Sequence, residues 1–310
     1  MDMKFLKHIL TTVLVGFLIV VAPGCKQPTA QAKFATPEEA ADALQKALSA
    51  ESLDNMRLIF GREWMETTAS GDAIADQQDR EVAALAMAQS WRWDALGENA
   101  KELIIGDEQW PFPVPLVKAG NAWQFDSEAG KEEVLARRIG GNELGVIGLC
   151  RDYVRAQKEY ASEPHDGKPA GLFAQRFRSS PGLHDGLFWR LKRGERTSPF
   201  GELVAAGITE GYDPNKPDAS PFRGYRFRIL TAQGSAAPGG SKNYLVNGDL
   251  TGGFAMLAYP AKYGFSGIMT FVVGQEGIVH QQDLGPDTEN LAAALTEYNP
   301  DASWTAVQAP

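Results

Sequence analysis

The sequence predicts an α+β protein: N-terminal helices followed by a curved antiparallel sheet, then a long helix packed on a four-stranded antiparallel meander. Two observations carry this. Helical periodicity with cap residues gives way near residue 101 to strand-and-turn chemistry, and after a long amphipathic stretch the last third of the chain alternates again with period two. An export signal stands in front of both.

Lys4 and Lys7 precede an apolar run from Ile9 to Val21, and Ala22-Pro23-Gly24-Cys25 follows. A basic start, a short apolar core and small residues before a cysteine are the parts of a lipoprotein signal peptide, and the run is too short for a comfortable membrane span. Residues 1–32 therefore read as signal peptide and tether, with cleavage before Cys25 and lipidation of that cysteine. Ala30-Gln31-Ala32 offers a second cleavage point of the A-x-A kind, which would release a soluble periplasmic protein. Ala22 is a poor substitute for the usual Leu three residues before such a cysteine, but Gly24-Cys25 sits at the end of the apolar run, which favours lipidation. Lys26 lacks the aspartate character that retains lipoproteins at an inner membrane, so the expected place is the outer membrane, facing the periplasm.

About 278 residues remain after residue 32, enough for two compact domains or one large one, and the expected division is 33–130 and 131–310. A hydrophobic fraction of 44% with 22% charged residues is that of a globular chain rather than a disordered one. The net charge of -9 argues against nucleic acid as the main partner. Only Cys25 and Cys150 are present, so an exported protein with Cys25 lipidated or removed cannot rest on disulfides. Cys150 falls on the apolar stripe of a predicted helix, where a buried inert thiol is expected.

Thr36-Pro37-Glu38-Glu39 supplies an N-cap, a proline at the first helical position and a capping-box glutamate, and Ala40, Leu44, Ala47 and Leu48 give that helix one apolar face. Leu53, Met56, Ile59 and Phe60 predict a second helix, and Asp79 to Trp91 a third. Lys101 to Ile105 reads as a strand, and Val114 to Lys118 pairs with Ala122 to Phe125 across Ala119-Gly120-Asn121. The prolines at 111, 113 and 115 belong at an edge or a bulge. A long helix runs from near Ser127 to about Tyr160, with a kink expected at Gly140-Gly141. Its buried face is marked by Leu135, Ile139, Val146, Ile147, Cys150, Tyr153, Val154 and Tyr160, with Arg151, Arg155, Lys158 and Glu159 facing water.

Residues 162–220 are loop-rich, dense in Gly and Pro. Strands are then expected over Tyr225 to Leu230, Tyr244 to Val246, Phe254 to Tyr259, Ile268 to Val273 and Ile278 to Gln281. Asn247-Gly248 is a strong hairpin signal because both central residues of its turn need positive φ. Asp287 caps a last helix over Thr288 to Tyr298, with Trp304 packing back.

Ser70-Gly71-Asp72, Trp110-Pro111-Phe112-Pro113, Ala136-Arg137-Arg138-Ile139-Gly140, Tyr225 to Gly234 and Asp283 to Thr288 resemble a bacterial family of uncharacterised exported proteins, domain-of-unknown-function family 2950. That resemblance covers nearly everything after residue 33 and brings no catalytic residues with it. The order of helices and hairpin ending on Trp123 and Phe125 is similar to nuclear-transport-factor-2-like domains. The helix with Asn142-Glu143 and Cys150 to Tyr153, followed by Gly224 to Phe227, Ala258-Tyr259-Pro260 and Gly267 to Val279, resembles the globular head of a type IV pilin or pseudopilin. Glu132-Glu133 and Arg137-Arg138 stand where a pilin has a hydrophobic polymerisation helix, so the chain is not a filament subunit of the usual kind.

For chemistry, two triplets nineteen positions apart, His165-Asp166-Gly167 and His184-Asp185-Gly186, supply imidazole and carboxylate, with His280 as a third nitrogen. His165, Asp166, His184 and Asp185 are thus the metal candidates, set against the fact that Asp-Gly is ordinary turn chemistry. Ala237 to Lys242 has the wrong order for a phosphate-binding loop and reads as a hairpin loop, and Ser266 misses the Gly-x-Ser-x-Gly elbow. Trp91 and Trp93, Trp110 and Phe112, Phe188 and Trp189, and Tyr259 and Tyr263 are candidates for a pocket or a partner face, with core packing as the ordinary alternative. No catalytic or cofactor-binding constellation can be drawn. The expectation is a non-catalytic lipoprotein of the cell envelope without a cofactor, bound to the membrane by its lipid and meeting envelope or pilin-like proteins. The alternative is an envelope hydrolase or metal-dependent enzyme using the two His-Asp-Gly loops.

Overall fold

The computed structural model describes residues 31–308 except 51, 71–72, 192–193, 195–196 and 202–220. The expected signal peptide, Cys25 and part of the expected 162–220 loop lie outside the described residues. Helix α1 (Pro37–Leu48) starts as its caps require: the Thr36 hydroxyl accepts from the Glu39 N–H at 3.1 Å, and the Glu39 carboxylate reaches back to the Ala35 N–H at 2.9 Å. Helix α2 (Asp54–Phe60) ends at Gly61, whose φ of 88° suits glycine, and α3 (Arg62–Thr68) follows at once. Sequence periodicity did not reveal α3, because Arg62 to Thr68 has no apolar stripe. Helix α4 (Ala73–Gln89) starts earlier than expected and stops short of Trp91, which instead opens a strand.

Strands β1 (Trp91–Ala95), β2 (Ala100–Ile105), β3 (Trp110–Pro111), β4 (Leu116–Ala119) and β5 (Ala122–Phe125) form one antiparallel sheet in the order β1-β2-β4-β5. One edge of β2 is shared: Ala100 and Lys101 face β4, whereas Ile104 and Ile105 face β3. Pro113 and Pro115 occupy the crossing between β3 and β4, where the ladder is interrupted and no N–H is missed. Leu44, Phe60, Met87, Leu103, Ile105 and Phe125 form the centre of this first core, and all are buried.

Helix α5 (Ser127–Ala161) is 35 residues long, about 52 Å at 1.5 Å per residue, and is one helix through Gly140-Gly141, as the sequence predicts. Asp126 caps it by accepting from the Ala129 N–H at 3.1 Å. Its first turn closes on the first core: a Cβ at Gly130 would lie 2.6 Å from Val114 Cγ2. Arg137 donates to Glu133 and to the Pro111 carbonyl, each at 2.6 Å, and lies over the Trp110 ring. Arg138 donates to the Thr68 carbonyl. The two arginines thus join the helix to the first core. Val146, Cys150, Tyr153, Val154 and Tyr160 are buried as expected in the second core, while Leu135, Ile139 and Ile147 are half-buried.

The second core lies on a sheet of order β14-β13-β12-β11-β6, built from β6 (Tyr225–Leu230), β11 (Ala255–Pro260), β12 (Met269–Gly274), β13 (Val279–Asp283) and β14 (Thr305–Ala306). Four of these are the expected meander, and β14 adds a fifth strand on β13. Between β6 and β11 the chain makes two side ribbons, β7 (Ala232–Gln233) with β8 (Lys242–Asn243), and β9 (Leu245–Val246) with β10 (Asp249–Leu250). The Asn247-Gly248 turn, with φ of 52° and 85°, has the expected signs but belongs to the second ribbon, outside the meander. Helix α6 (Thr288–Ala294) is shorter than expected, and Arg228 of β6 closes its end by donating to the carbonyls of Ala292, Ala293 and Leu295.

The junction of α5 with the sheet is tightly stitched. The Glu143 carboxylate accepts from the N–H groups of Ile268 and Met269, both at 2.9 Å, and Asn142 donates to the Ser266 carbonyl at 2.9 Å. Tyr225 donates to the Met269 carbonyl at 2.9 Å, so close to Gly267 that a Cβ there would lie 2.0 Å from its hydroxyl.

Candidate functional site

The two His-Asp-Gly loops meet around Trp189. The Asp166 carboxylate accepts from the His184 N–H at 2.6 Å and stands 3.5 Å from His184 Nδ1. His165 stacks on Tyr160 with ring centroids 4.0 Å apart and donates Nε2 to the Tyr160 carbonyl at 2.9 Å. Trp189 lies 5.7 Å from the His165 ring and 4.7 Å from that of His184. The Tyr160 hydroxyl donates to the His184 carbonyl at 2.7 Å, and burial, with the charges of Asp166, Asp185 and Asp249 adding to it, pushes that hydroxyl up to about 12.

Turn chemistry accounts for most of this cluster. His165 and Lys168 exchange backbone hydrogen bonds around Asp166 and Gly167, whose φ values of 48° and 79° are those of a two-residue I′ turn. Burial acts to raise the Asp185 carboxyl, yet the Ser180 N–H at 2.6 Å, the Ser180 hydroxyl at 2.8 Å and Arg176 together hold it below the usual range. At Gly186 a Cβ would meet the Arg178 carbonyl carbon at 2.6 Å, which explains the second glycine. His280 does not join the other histidines; it sits on β13 with Nδ1 3.4 Å from the Tyr298 hydroxyl, and burial lowers its imidazole below the ordinary value. Among the described residues no group of three or more His, Cys, Asp or Glu side chains is arranged to hold a metal ion.

The other residues singled out in the sequence have structural duties. Ser266 is buried, its hydroxyl accepting from the Lys262 N–H at 3.0 Å. The run from Ala237 to Lys242 joins β7 to β8, and Gln233 fixes it by donating to the carbonyls of Pro238 and Gly240. Phe112 is buried in the first core, against which Trp91 and Trp93 pack; Phe188, Trp189 and Tyr259 pack against the second. Trp110 is exposed beneath Arg137, and Tyr263 donates to Asp283. Cys150 is fully buried, which pushes its thiol up to about 12.

A cavity of about 1210 Å³ opens instead on the first core, between the α2–α3 bend, β4, β5 and the start of α5. Phe60, Trp64, Val117 and Phe125 give its apolar lining, and Glu63, Glu66, Asp126 and Glu128 bring four carboxylates against the single guanidinium of Arg62. Gln31 stands on its wall as a clamp. Its Nε2 donates to the carbonyls of Ile59 at 2.8 Å and Phe125 at 2.7 Å and lies 3.1 Å from Ser127 Oγ, while Oε1 accepts from Gln124 Nε2 at 2.6 Å. The Ala32 N–H continues the attachment by donating to the Leu58 carbonyl at 2.8 Å.

The family described as "Protein of unknown function (DUF2950)" matches residues 31–307. The chain belongs to that family. No curated protein and no solved structure matches it. The match opens at Gln31, the residue that locks the N-terminal strand of chain onto α2, β5 and α5. The motifs Trp110 to Pro113 and Ala136 to Gly140, which carried the family resemblance, meet in the contact of Arg137 with the Pro111 carbonyl and the Trp110 ring. The cavity escaped sequence reasoning because its walls come from segments between Gln31 and Glu128 that no local pattern connects. One local signal existed: Glu63, Trp64 and Glu66 follow Gly61 closely.

Proposed function

We propose that this protein is a lipid-anchored protein of the cell envelope that works by binding, without catalysis. The observation that carries this reading is the Gln31 clamp. Cleavage after Ala32 would cut away both Gln31 and Ala32, which hold the end of α2 against β5, whereas cleavage before Cys25 keeps them and leaves a short tether. Six residues from Cys25 to Gln31 reach at most about 20 Å, so the body and its cavity stand close to the lipid surface. The place favoured by Lys26 is the outer membrane, facing the periplasm, with a soluble envelope ligand or an envelope or pilin-like protein as partner.

Replacing Cys25 by Ala tests the anchor. The acyl chains of a lipoprotein hold firmly where one chain would hold marginally, so the variant moves from the membrane pellet to the soluble periplasmic fraction. An unchanged distribution, with a mature N-terminus at Lys33, refutes the reading. The competing reading is a metal-dependent hydrolase at the two loops, favoured by the convergence of His165 and His184 on Trp189. Metal analysis of the purified protein separates them, because a stoichiometric ion lost in a His165→Ala, His184→Ala variant supports the enzyme.

A further inference from the structure

We infer that the open edge of β6 is a docking site for an extended, acidic segment of a partner protein, which adds to the second sheet as an antiparallel strand. This rests on the binding role proposed above and not on the lipid anchor. Strand β6 ends its sheet, with β11 on one side only. The Ala261 N–H donates to the Gly224 carbonyl at 2.9 Å, which fixes the phase of the ladder. Gly224, Arg226, Arg228 and Leu230 turn their backbone groups to β11, and Tyr225, Phe227 and Ile229 turn theirs away from it. The Tyr225 N–H donates to the Phe222 carbonyl, and beyond the strand the Thr231 carbonyl accepts from the Tyr244 N–H. Among the described residues nothing takes the N–H and C=O groups of Phe227 and Ile229 or the carbonyl of Tyr225. A row of donors and acceptors at alternate residues is satisfied in full only by another extended chain. The opposite edge offers no such row, because β14 has 2 residues.

The side chains select the partner. Phe227 and Ile229 share the face of Tyr225, are half-buried and pack against the second core, so an incoming strand meets apolar surface there. On the other face Arg226 is exposed, and Arg223 is exposed just before the strand. Neither has a hydrogen-bond or ion-pair partner among the described residues; Arg223 lies over the Phe222 ring, and the residue beside Arg226 across the ladder is the uncharged Tyr259. Arg228, in contrast, is spent on the end of α6. A second copy of this chain fits poorly. The two antiparallel registers that pair both Phe227 and Ile229 with a second β6 set Arg226 opposite Arg228, or Arg228 opposite its own copy, and like charges facing across a ladder repel. A charge on an edge strand ordinarily keeps sheets apart, and this one bars the chain from itself while favouring carboxylates. The segment that fits alternates acidic residues opposite Arg226 with apolar residues opposite Phe227 and Ile229.

A capped, fluorophore-labelled peptide of alternating glutamate and valine, about seven residues long to match the span of β6, tests the site by polarisation on the purified protein. Saturable binding is expected that weakens as salt rises and is about tenfold weaker when lysine replaces glutamate. Arg226→Glu, at an exposed position, should bind the glutamate peptide about threefold to tenfold more weakly with an unchanged melting curve, as expected for reversing one exposed ion pair. Methylation of peptide nitrogens reads the geometry without touching the protein. In an antiparallel addition the residues opposite Phe227 and Ile229 are those that bond to the edge, so methylation at valine abolishes binding and methylation at glutamate leaves it. No saturable binding up to about 1 mM, equal affinity of the two methylated peptides, or equal affinity for the glutamate and lysine peptides overturns the assignment. A dimer in sedimentation that the peptide disperses gives the edge to a second copy and overturns it as well. Fractionation of Cys25→Ala is independent of these titrations, so loss of the anchor reading and loss of the docking site are told apart.

Discussion

Removing Gln31 should cost the first core more than any change at a tether residue. Its Nε2 carries two hydrogens, so its three acceptors amount to two bonds with one shared, and Oε1 accepts a third bond from Gln124. At about 0.5–1.5 kcal/mol net for each bond, and with the residue only half-buried, Gln31→Ala should lose about 2–3 kcal/mol. A chain that begins at Lys33 loses the Ala32 bond to Leu58 as well, roughly 2–4 kcal/mol in all. The comparison is a chain beginning at Lys26, which keeps the clamp and lacks only the lipid-bearing cysteine. Urea unfolding at pH 7, followed by tryptophan fluorescence, reads the transition of the first core, where Trp64, Trp91, Trp93 and Trp123 pack. If the chains beginning at Lys26 and Lys33 agree within about 0.5 kcal/mol, the clamp is not structural and cleavage after Ala32 loses nothing.

Two further outcomes follow from the packing of the second core. Gly267→Ala should destabilise it by about 1–3 kcal/mol or more, because the new Cβ would lie 2.0 Å from the Tyr225 hydroxyl and Tyr225 is held by Met269; chemical denaturation showing a stability equal to the parent's would contradict the junction as described. Cys150 should resist alkylation at pH 7.5 until the core opens, since burial holds its thiol protonated up to about 12, and stoichiometric labelling of the native protein within minutes would refute that burial.

How much was legible in the sequence differed by kind of signal. Helix α1 carried an N-cap, a proline and a capping glutamate, and all three act where they stand. Asn247-Gly248 announced its turn correctly, because positive φ is a property of two residues. Where that hairpin sits was not local information, and it lies beside the sheet rather than within it. Helix α3 was hidden because one face points to open cavity rather than to core, so its residues show no apolar period. Strand β1 was misread because Trp91 and Trp93 alternate for only five residues right after a helix. The His-Asp-Gly loops do meet, yet the sequence could not tell that Asp166 and Asp185 are spent on backbone N–H groups.

The unbroken helix α5 also dictates the order in which the chain can mature. As synthesis proceeds, residues 34–125 supply the whole first core, and α5 needs only its opening turns to seal it at Gly130. The far end of the rod then meets only the loop that carries Ala174 and Phe177, for its sheet partners β6, β11, β12 and β13 begin at Tyr225. Until those strands emerge, the face of α5 that carries Val146, Cys150 and Val154 lacks the sheet that buries it. A growing chain therefore passes through a half-built state with one finished core and one sticky helix, and protection of that face, by a chaperone or by delayed release, becomes part of what this fold requires of its cell.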